Sequence, residues 1–272
     1  MRQFKSSLFS RLFGSFASCK FPKPVQWFIN FAYTKILGVD LYDFDNFASY
    51  PSLNALFTRK LKKGRFFSQN ENVMISPCDS FISASGKIED AQALQIKGFS
   101  YGVSELLGYS IVKSEKNRLE NGQFINFYLS PKDYHRYHVP IDMYVAKAVH
   151  IPGRLYPVNF RWLQKIPQLF CENERVVLEC YTKKGKLFYL IFVGALNVGK
   201  MVFNFDACIQ TNAKKQGEKF YTYDELYLQK GDELGRFEMG STIVMLFEQD
   251  TLALTCKSGA SVRFGDAIAT LS

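Results

Sequence analysis

The sequence predicts an α+β protein in which N-terminal amphipathic helices precede a predominantly antiparallel β core, sandwich- or barrel-like. Three observations lead there. Apolar residues recur at helical spacing near the N-terminus. From Val73 onward, short β-branched and aromatic runs are separated by Gly, Pro, Asn and Asp clusters. No regular strand–helix alternation, the mark of a parallel doubly wound sheet, interrupts them.

Taken in order, Phe4, Leu8, Leu12 and Phe16, with Phe9 and Phe13 beside them, form one stripe, and Arg2, Lys5 and Arg11 lie between them. Pro22 and Pro24 end this basic amphipathic helix. A second helix is predicted from Val25 to Leu37, with Trp27, Phe28, Phe31, Ala32 and Ile36 available to one face. These stripes either pack on the rest of the protein or dock on a membrane. "PSLNALFTRKLKKGRF" at 51–66 predicts a third helix with a basic, solvated tail. Strands are predicted at Phe124–Leu129, Ala146–Ile151, Arg175–Tyr181, Leu187–Leu196, Lys200–Phe205, Thr242–Glu248 and Leu252–Thr255. The boundary falls between a basic helical region, 1–66, that associates with membranes and a β-rich catalytic region, 67–272.

Charge is unevenly spread. The first 65 residues hold eleven Lys/Arg against three Asp, so they carry eight of the nine net positive charges. A basic, Phe-rich end suits an anionic partner, nucleic acid or a phospholipid surface. No nucleic-acid motif appears, which favours the membrane. The longest apolar runs, 187–196 and 25–33, fall short of the roughly 20 residues that cross a bilayer. Six cysteines show no C-x-x-C and no zinc spacing; they read as thiols of a reducing compartment, and no metal site is expected.

Chemistry concentrates in three stretches. Two of the three histidines, His135 and His138, fall in "LSPKDYHRYHVP", and histidine is the side chain that titrates near neutral pH. "ISPCDSFI" places Asp79 in a turn context. "GRFEMGSTIVMLF" at 235–247 sets a Gly240-Ser241 step inside a β-type run. Aspartate, histidine and serine supply the orienting carboxylate, proton acceptor and attacking oxygen of an activated nucleophile. A serine directly after glycine can also attack the preceding carbonyl and turn the peptide into an ester. Glycine on the acyl side removes the Cβ that would hinder this attack. β-Elimination then leaves dehydroalanine, which hydrolyses to a pyruvoyl group.

"GRFEMGSTIVMLF", "YHRYHVP" and "SPCD" together resemble the phosphatidylserine decarboxylase family. "NALFTRKL", "IKGFSYGVSELLG", "HIPGRLYPVN", "NERV" and "VRFGDAIA" extend the likeness over most of the chain. The resemblance implies that Asp79, His138 and Ser241 carry out self-cleavage of the Gly240-Ser241 bond. It implies a β chain, 1–240, and an α chain, 241–272, held as a heterodimer, with Ser241 persisting as a covalent pyruvoyl cofactor. His135 is implied to assist decarboxylation or protonation. The implied reaction converts phosphatidylserine to phosphatidylethanolamine and CO2 through a Schiff base with the pyruvoyl group, at the cytoplasmic face of the cell membrane. A homodimer is compatible with it, and nucleic acid is not expected as a partner. Met239 replaces a usual leucine, and "SPCDS" a more familiar "SPADG"; the second change bears on the turn around Asp79. The apolar "KGFSYGVSELLG" is either a loop at a lipid entrance or ordinary core. The rival readings are a membrane-associated serine hydrolase using Asp79, His138 and Ser241 without self-cleavage, a nucleic-acid-binding module, and a non-catalytic carrier-like β domain.

Overall fold

A computed structural model of the chain describes residues 13–272 except 91, 97–98, 197–199, 212–216 and 239–240. The start of the first predicted helix, and both Met239 and Gly240, lie outside the described residues; 13–18 are helical. The second predicted helix is Lys23–Leu37, closed by Gly38 in the left-handed conformation (φ 64°). The strands are β1 (Val73–Ile75), β2 (Ser80–Lys87), β3 (Gln92–Ile96), β4 (Phe99–Gly102), β5 (Gln123–Leu129), β6 (Arg136–His138), β7 (Met143–Ile151) and β8 (Arg175–Thr182). After them come β9 (Leu187–Gly194), β10 (Lys200–Phe203), β11 (Lys219–Leu228), β12 (Glu233–Glu238), β13 (Ser241–Phe247), β14 (Leu252–Leu254), β15 (Ser261–Val262) and β16 (Ala267–Leu271).

Eight strands form one antiparallel sheet in the order β11-β7-β8-β9-β13-β5-β2-β15. Three small sheets accompany it: β1-β16-β14, β10-β12-β6 and β3-β4. The fold is α+β as the sequence predicts, and the sheets are open rather than closed into a barrel. Both faces of the main sheet are covered. Ile243, Met245 and Phe247 of β13 enter one core, with Tyr137, Phe192 and Phe237; Val244 and Leu246 enter the other, with Tyr101, Phe170 and Tyr189. A strand buried on both faces reads as an unbroken apolar run, as "STIVMLF" does. Each fully buried side chain of this kind contributes about 1.5–3 kcal/mol of transfer free energy. Tyr101, Val103, Leu106 and Leu107 lie in the second core, so that part of "KGFSYGVSELLG" is ordinary core and not a lipid-facing loop.

Two expectations change. The third helix covers only Leu53–Phe57, where the Thr58 hydroxyl turns back to the Asn54 carbonyl at 2.8 Å and regular structure ends. Its tail is not simply solvated: Arg59 is buried, and Arg65 is ion-paired with Asp43 and Asp79. Helix Lys23–Leu37 is oriented by its polar residues. Gln26 and Asn30 are buried, with Gln26 Nε2 donating to Asn30 Oδ1 (2.8 Å) and Asn30 Nδ2 donating to the Phe47 and Tyr50 carbonyls (2.9 Å each). Its apolar face turns outward, leaving Trp27, Phe28 and Ile36 exposed, Ile36 by 81%. Among the described residues no helix is long and apolar enough to cross a membrane.

Candidate active site

Ser241 is the first residue of β13 and sits between Leu129 of β5 and Gly194 of β9 in the ladder. It is completely buried, and its hydroxyl has no hydrogen-bond partner among the described residues. The next hydroxyl is fully engaged: Thr242 Oγ1 lies 2.9 Å from Asn126 Oδ1 and 2.7 Å from the Phe127 carbonyl. The contrast is local, since a buried, unpaired hydroxyl costs about 1–3 kcal/mol.

Asp79 lies in the turn between β1 and β2. The turn is tied from several sides: Ser76 Oγ donates to the Cys78 carbonyl (2.8 Å), Ser76 N to the Asp266 carbonyl (2.8 Å) and His138 N to the Pro77 carbonyl (2.8 Å). Cys78 fills the core beneath, where burial raises its thiol pKa well above the ordinary value and keeps it neutral. The cysteine of "SPCDS" therefore serves as a small apolar residue. Arg65 grips the Asp79 carboxylate with both Nη atoms, at 2.5 and 3.0 Å. Phe264 N donates to Asp79 Oδ1 at 2.8 Å, while the Phe264 ring stacks on His138 with centroids 3.6 Å apart. Phe264 thus brings Asp79 and His138 together without a direct bond between their side chains.

His138 uses both ring nitrogens. Nδ1 lies 2.9 Å from the Gly231 carbonyl, which can only accept, so Nδ1 carries the proton; Nε2 then accepts from the Tyr134 hydroxyl at 3.0 Å. Burial lowers its pKa, partly offset by the hydrogen bond to Gly231. His138 Nε2 becomes a free acceptor only when the Tyr134 bond is released. His135 is arranged differently. It is fully buried, its Nδ1 donates to the Asp133 carbonyl at 2.9 Å, and its Nε2 has no partner. Burial, assisted by the positive charge of Arg59, pushes its pKa down to about 3, so the ring is neutral at physiological pH. The Phe57 ring covers it, centroids 3.9 Å apart. The backbone brings His135 toward Ser241, since the His135 carbonyl accepts from Phe237 N at 2.9 Å, four residues before the serine.

The structure therefore gathers Asp79 and His138 around Phe264 and leaves two buried acceptors unpaired, Ser241 Oγ and His135 Nε2. No side-chain hydrogen bond joins Asp79, His138 and Ser241 to one another. A cleft of about 620 Å³, lined by Asp79, Arg65, Tyr134, Arg59, Lys132 and Arg263 but not by His135, His138 or Ser241, is large enough for a small ligand. Among the described residues, no group of three His, Cys, Asp or Glu is placed to hold a metal. Sequence reasoning missed Arg59, Arg65, Tyr134 and Phe264. Arg65 was read only as part of a basic cluster, and the sole signal for Tyr134 was its place inside the histidine segment.

Comparison with known proteins gives the family of the chain. A family model described as phosphatidylserine decarboxylase matches residues 53–270, which contain every site residue named above. The chain is similar to the phosphatidylserine decarboxylase proenzyme of Campylobacter jejuni (47% identical over 265 residues, 96% of this chain and 97% of the relative). It is similar also to that of Helicobacter pylori (48% over 265 residues, 97% and 96%) and that of Pseudomonas fluorescens (37% over 276 residues, 96% and 93%). With the match running from the helix at Leu53 to the last strand, and with near-complete coverage on both sides, the chain belongs to the phosphatidylserine decarboxylase family.

Proposed function

We propose that the chain is a self-processing decarboxylase that converts phosphatidylserine to phosphatidylethanolamine and CO2 with a pyruvoyl group made from Ser241. The observation that carries this reading is the Ser241 hydroxyl, wholly buried and unpartnered at the head of a central strand. In the first step Ser241 Oγ attacks the Gly240 carbonyl carbon, the Gly240–Ser241 amide breaks and an ester forms. Loss of the Ser241 α-hydrogen then expels the Gly240 carboxylate, and water replaces nitrogen, which leaves as ammonia. Asp79, His138 and Ser241 are the residues assigned to this sequence, with His138 Nε2 receiving the serine proton once Tyr134 yields it.

The buried environment suits the group: Ser241 Oγ and His135 Nε2 are among the buried polar atoms that have no partner. Pyruvoyl supplies a carbonyl that takes the substrate amine and accepts the electrons released with CO2. His135 is assigned to the proton that replaces the carboxylate on the α-carbon. Held neutral by burial, it becomes a strong donor once protonated. Intact mass spectrometry of the denatured wild-type protein is expected to show chains 1–240 and 241–272. A single unbroken chain of 31.2 kDa with ester hydrolase activity would replace this reading with a serine hydrolase.

The outward apolar face of helix Lys23–Leu37 supports peripheral attachment to an anionic membrane, at the cytoplasmic face of the cell membrane. Replacing Trp27, Phe28 and Ile36 together by Ser is expected to weaken binding to phosphatidylserine-containing vesicles at least about tenfold in flotation, with chain cleavage unaffected. Unchanged flotation would remove this face as the attachment surface.

A further inference from the structure

The loop from Ser130 to His135 is held by side chains far from it in sequence. Tyr33 donates its hydroxyl to the Pro131 carbonyl at 2.6 Å, and Arg59 Nη2 donates to the Lys132 and Asp133 carbonyls at 2.7 and 3.0 Å. Three consecutive carbonyls are thus gripped by two residues of the N-terminal region. The last of them, at Asp133, is also the acceptor of His135 Nδ1. Arg59 itself is 2% exposed, lies over the Phe44 ring (4.5 Å to the centroid) and has no carboxylate within ion-pair distance among the described residues. A buried, unpaired guanidinium is expensive, and surface solvation cannot account for its place here. Its own backbone is secured, because Arg136 Nε donates to the Thr58 carbonyl at 2.9 Å and to the Arg59 carbonyl at 3.3 Å.

We propose that Arg59 is a positioning residue for His135: by holding the Asp133 carbonyl that takes the Nδ1 proton, it fixes the imidazole as the Nδ1–H tautomer with Nε2 left as the basic nitrogen. The proposal rests on the role given to His135 above. Two further contacts act in the same direction. Phe57, two residues before Arg59, packs against the imidazole with its ring tilted by 40° and limits how far it can turn. The charge that bears on the ring is that of Arg59, while Asp133 reaches it through its backbone carbonyl. Burial, with a smaller contribution from the Arg59 charge, keeps the ring neutral, so loss of the guanidinium frees the tautomer while the ring stays neutral.

The test uses the full-length, self-processed protein with 15N-labelled histidine. The chain has three histidines, so three imidazoles are observed, and His135→Gln assigns the one of interest. Wild type is expected to show His135 as a single Nδ1–H tautomer that does not titrate between pH 5 and 8. Arg59→Met should give a mixture of tautomers, with kcat for phosphatidylserine down at least about tenfold and KM within about twofold. Arg59→Lys, which keeps the charge and one donor, should restore a majority of the tautomer and part of kcat. If Arg59→Met fails to accumulate, Arg59→Lys is read alone against wild type, with a mixed tautomer expected. An unaltered His135 tautomer in the variant that folds overturns the proposal, whatever its kcat. A wild type that neither cleaves nor decarboxylates would defeat the functional reading instead, and the imidazole spectrum would still report on Arg59.

Discussion

Ser241→Ala is expected to remain one chain of 31.2 kDa and to release no CO2 from phosphatidylserine, a loss beyond the detection limit of a radiometric assay. Alanine removes the only atom that can attack the Gly240 carbonyl, and no neighbouring hydroxyl can replace it. Thr242 Oγ1 is committed to Asn126 and Phe127, and, as the next residue, would cut a different bond. The variant should fold normally. The serine oxygen has no partner to lose, so its removal is close to neutral or slightly stabilising, and a raised or unchanged thermal midpoint checks this. Residual decarboxylation by an uncut Ser241→Ala chain would end the pyruvoyl assignment.

His135→Gln and His138→Gln are expected to fail at different stages. Glutamine at 135 can still donate to the Asp133 carbonyl but has no basic nitrogen. The protein should cleave fully, while kcat falls by roughly 10²- to 10⁴-fold, the range for removing a general acid or base. Glutamine at 138 can still donate to Gly231 but cannot receive the serine proton, so the chain should stay uncut over hours. Electrophoresis under denaturing conditions followed by decarboxylase assay separates the two. The reverse pattern, an uncut His135→Gln and a cut His138→Gln, would exchange the two roles. The geometry makes this a sharp comparison because one histidine has both nitrogens engaged and the other has a free Nε2.

What could be read from the sequence followed physical contrast. Long apolar runs gave β5, β8, β9 and β13 almost to the residue, because strands buried on both faces leave no ambiguity of pattern. β2, written "SFISASGK", has small residues that read equally well as a turn, and β6 has only three residues inside a loop-like segment. Helix Lys23–Leu37 was legible as amphipathic, but not the direction it faces. Two buried amides decide that, Gln26 donating to Asn30 and Asn30 donating to the Phe47 and Tyr50 carbonyls, a tertiary fact with no local signature. Asp79, His135, His138 and Ser241 stood out because their chemistry is scarce or unusually placed. Arg59 and Arg65 did not, since a run of Lys and Arg normally means a solvated surface. Only the fold shows that two of its members are turned inward.

Ser241 opens β13 instead of lying within it, and β13 is flanked on both sides by partners that precede residue 195. Scission just before it would leave the rungs from Thr242 to Phe247 intact in both ladders. The freshly made end would start life pinned on two sides in the interior, with none of the fraying of ordinary termini. β15 on β2 and β16 on β1 add further seams between the pieces. Hence the halves should travel as one particle through any native separation and part only when the sheet melts.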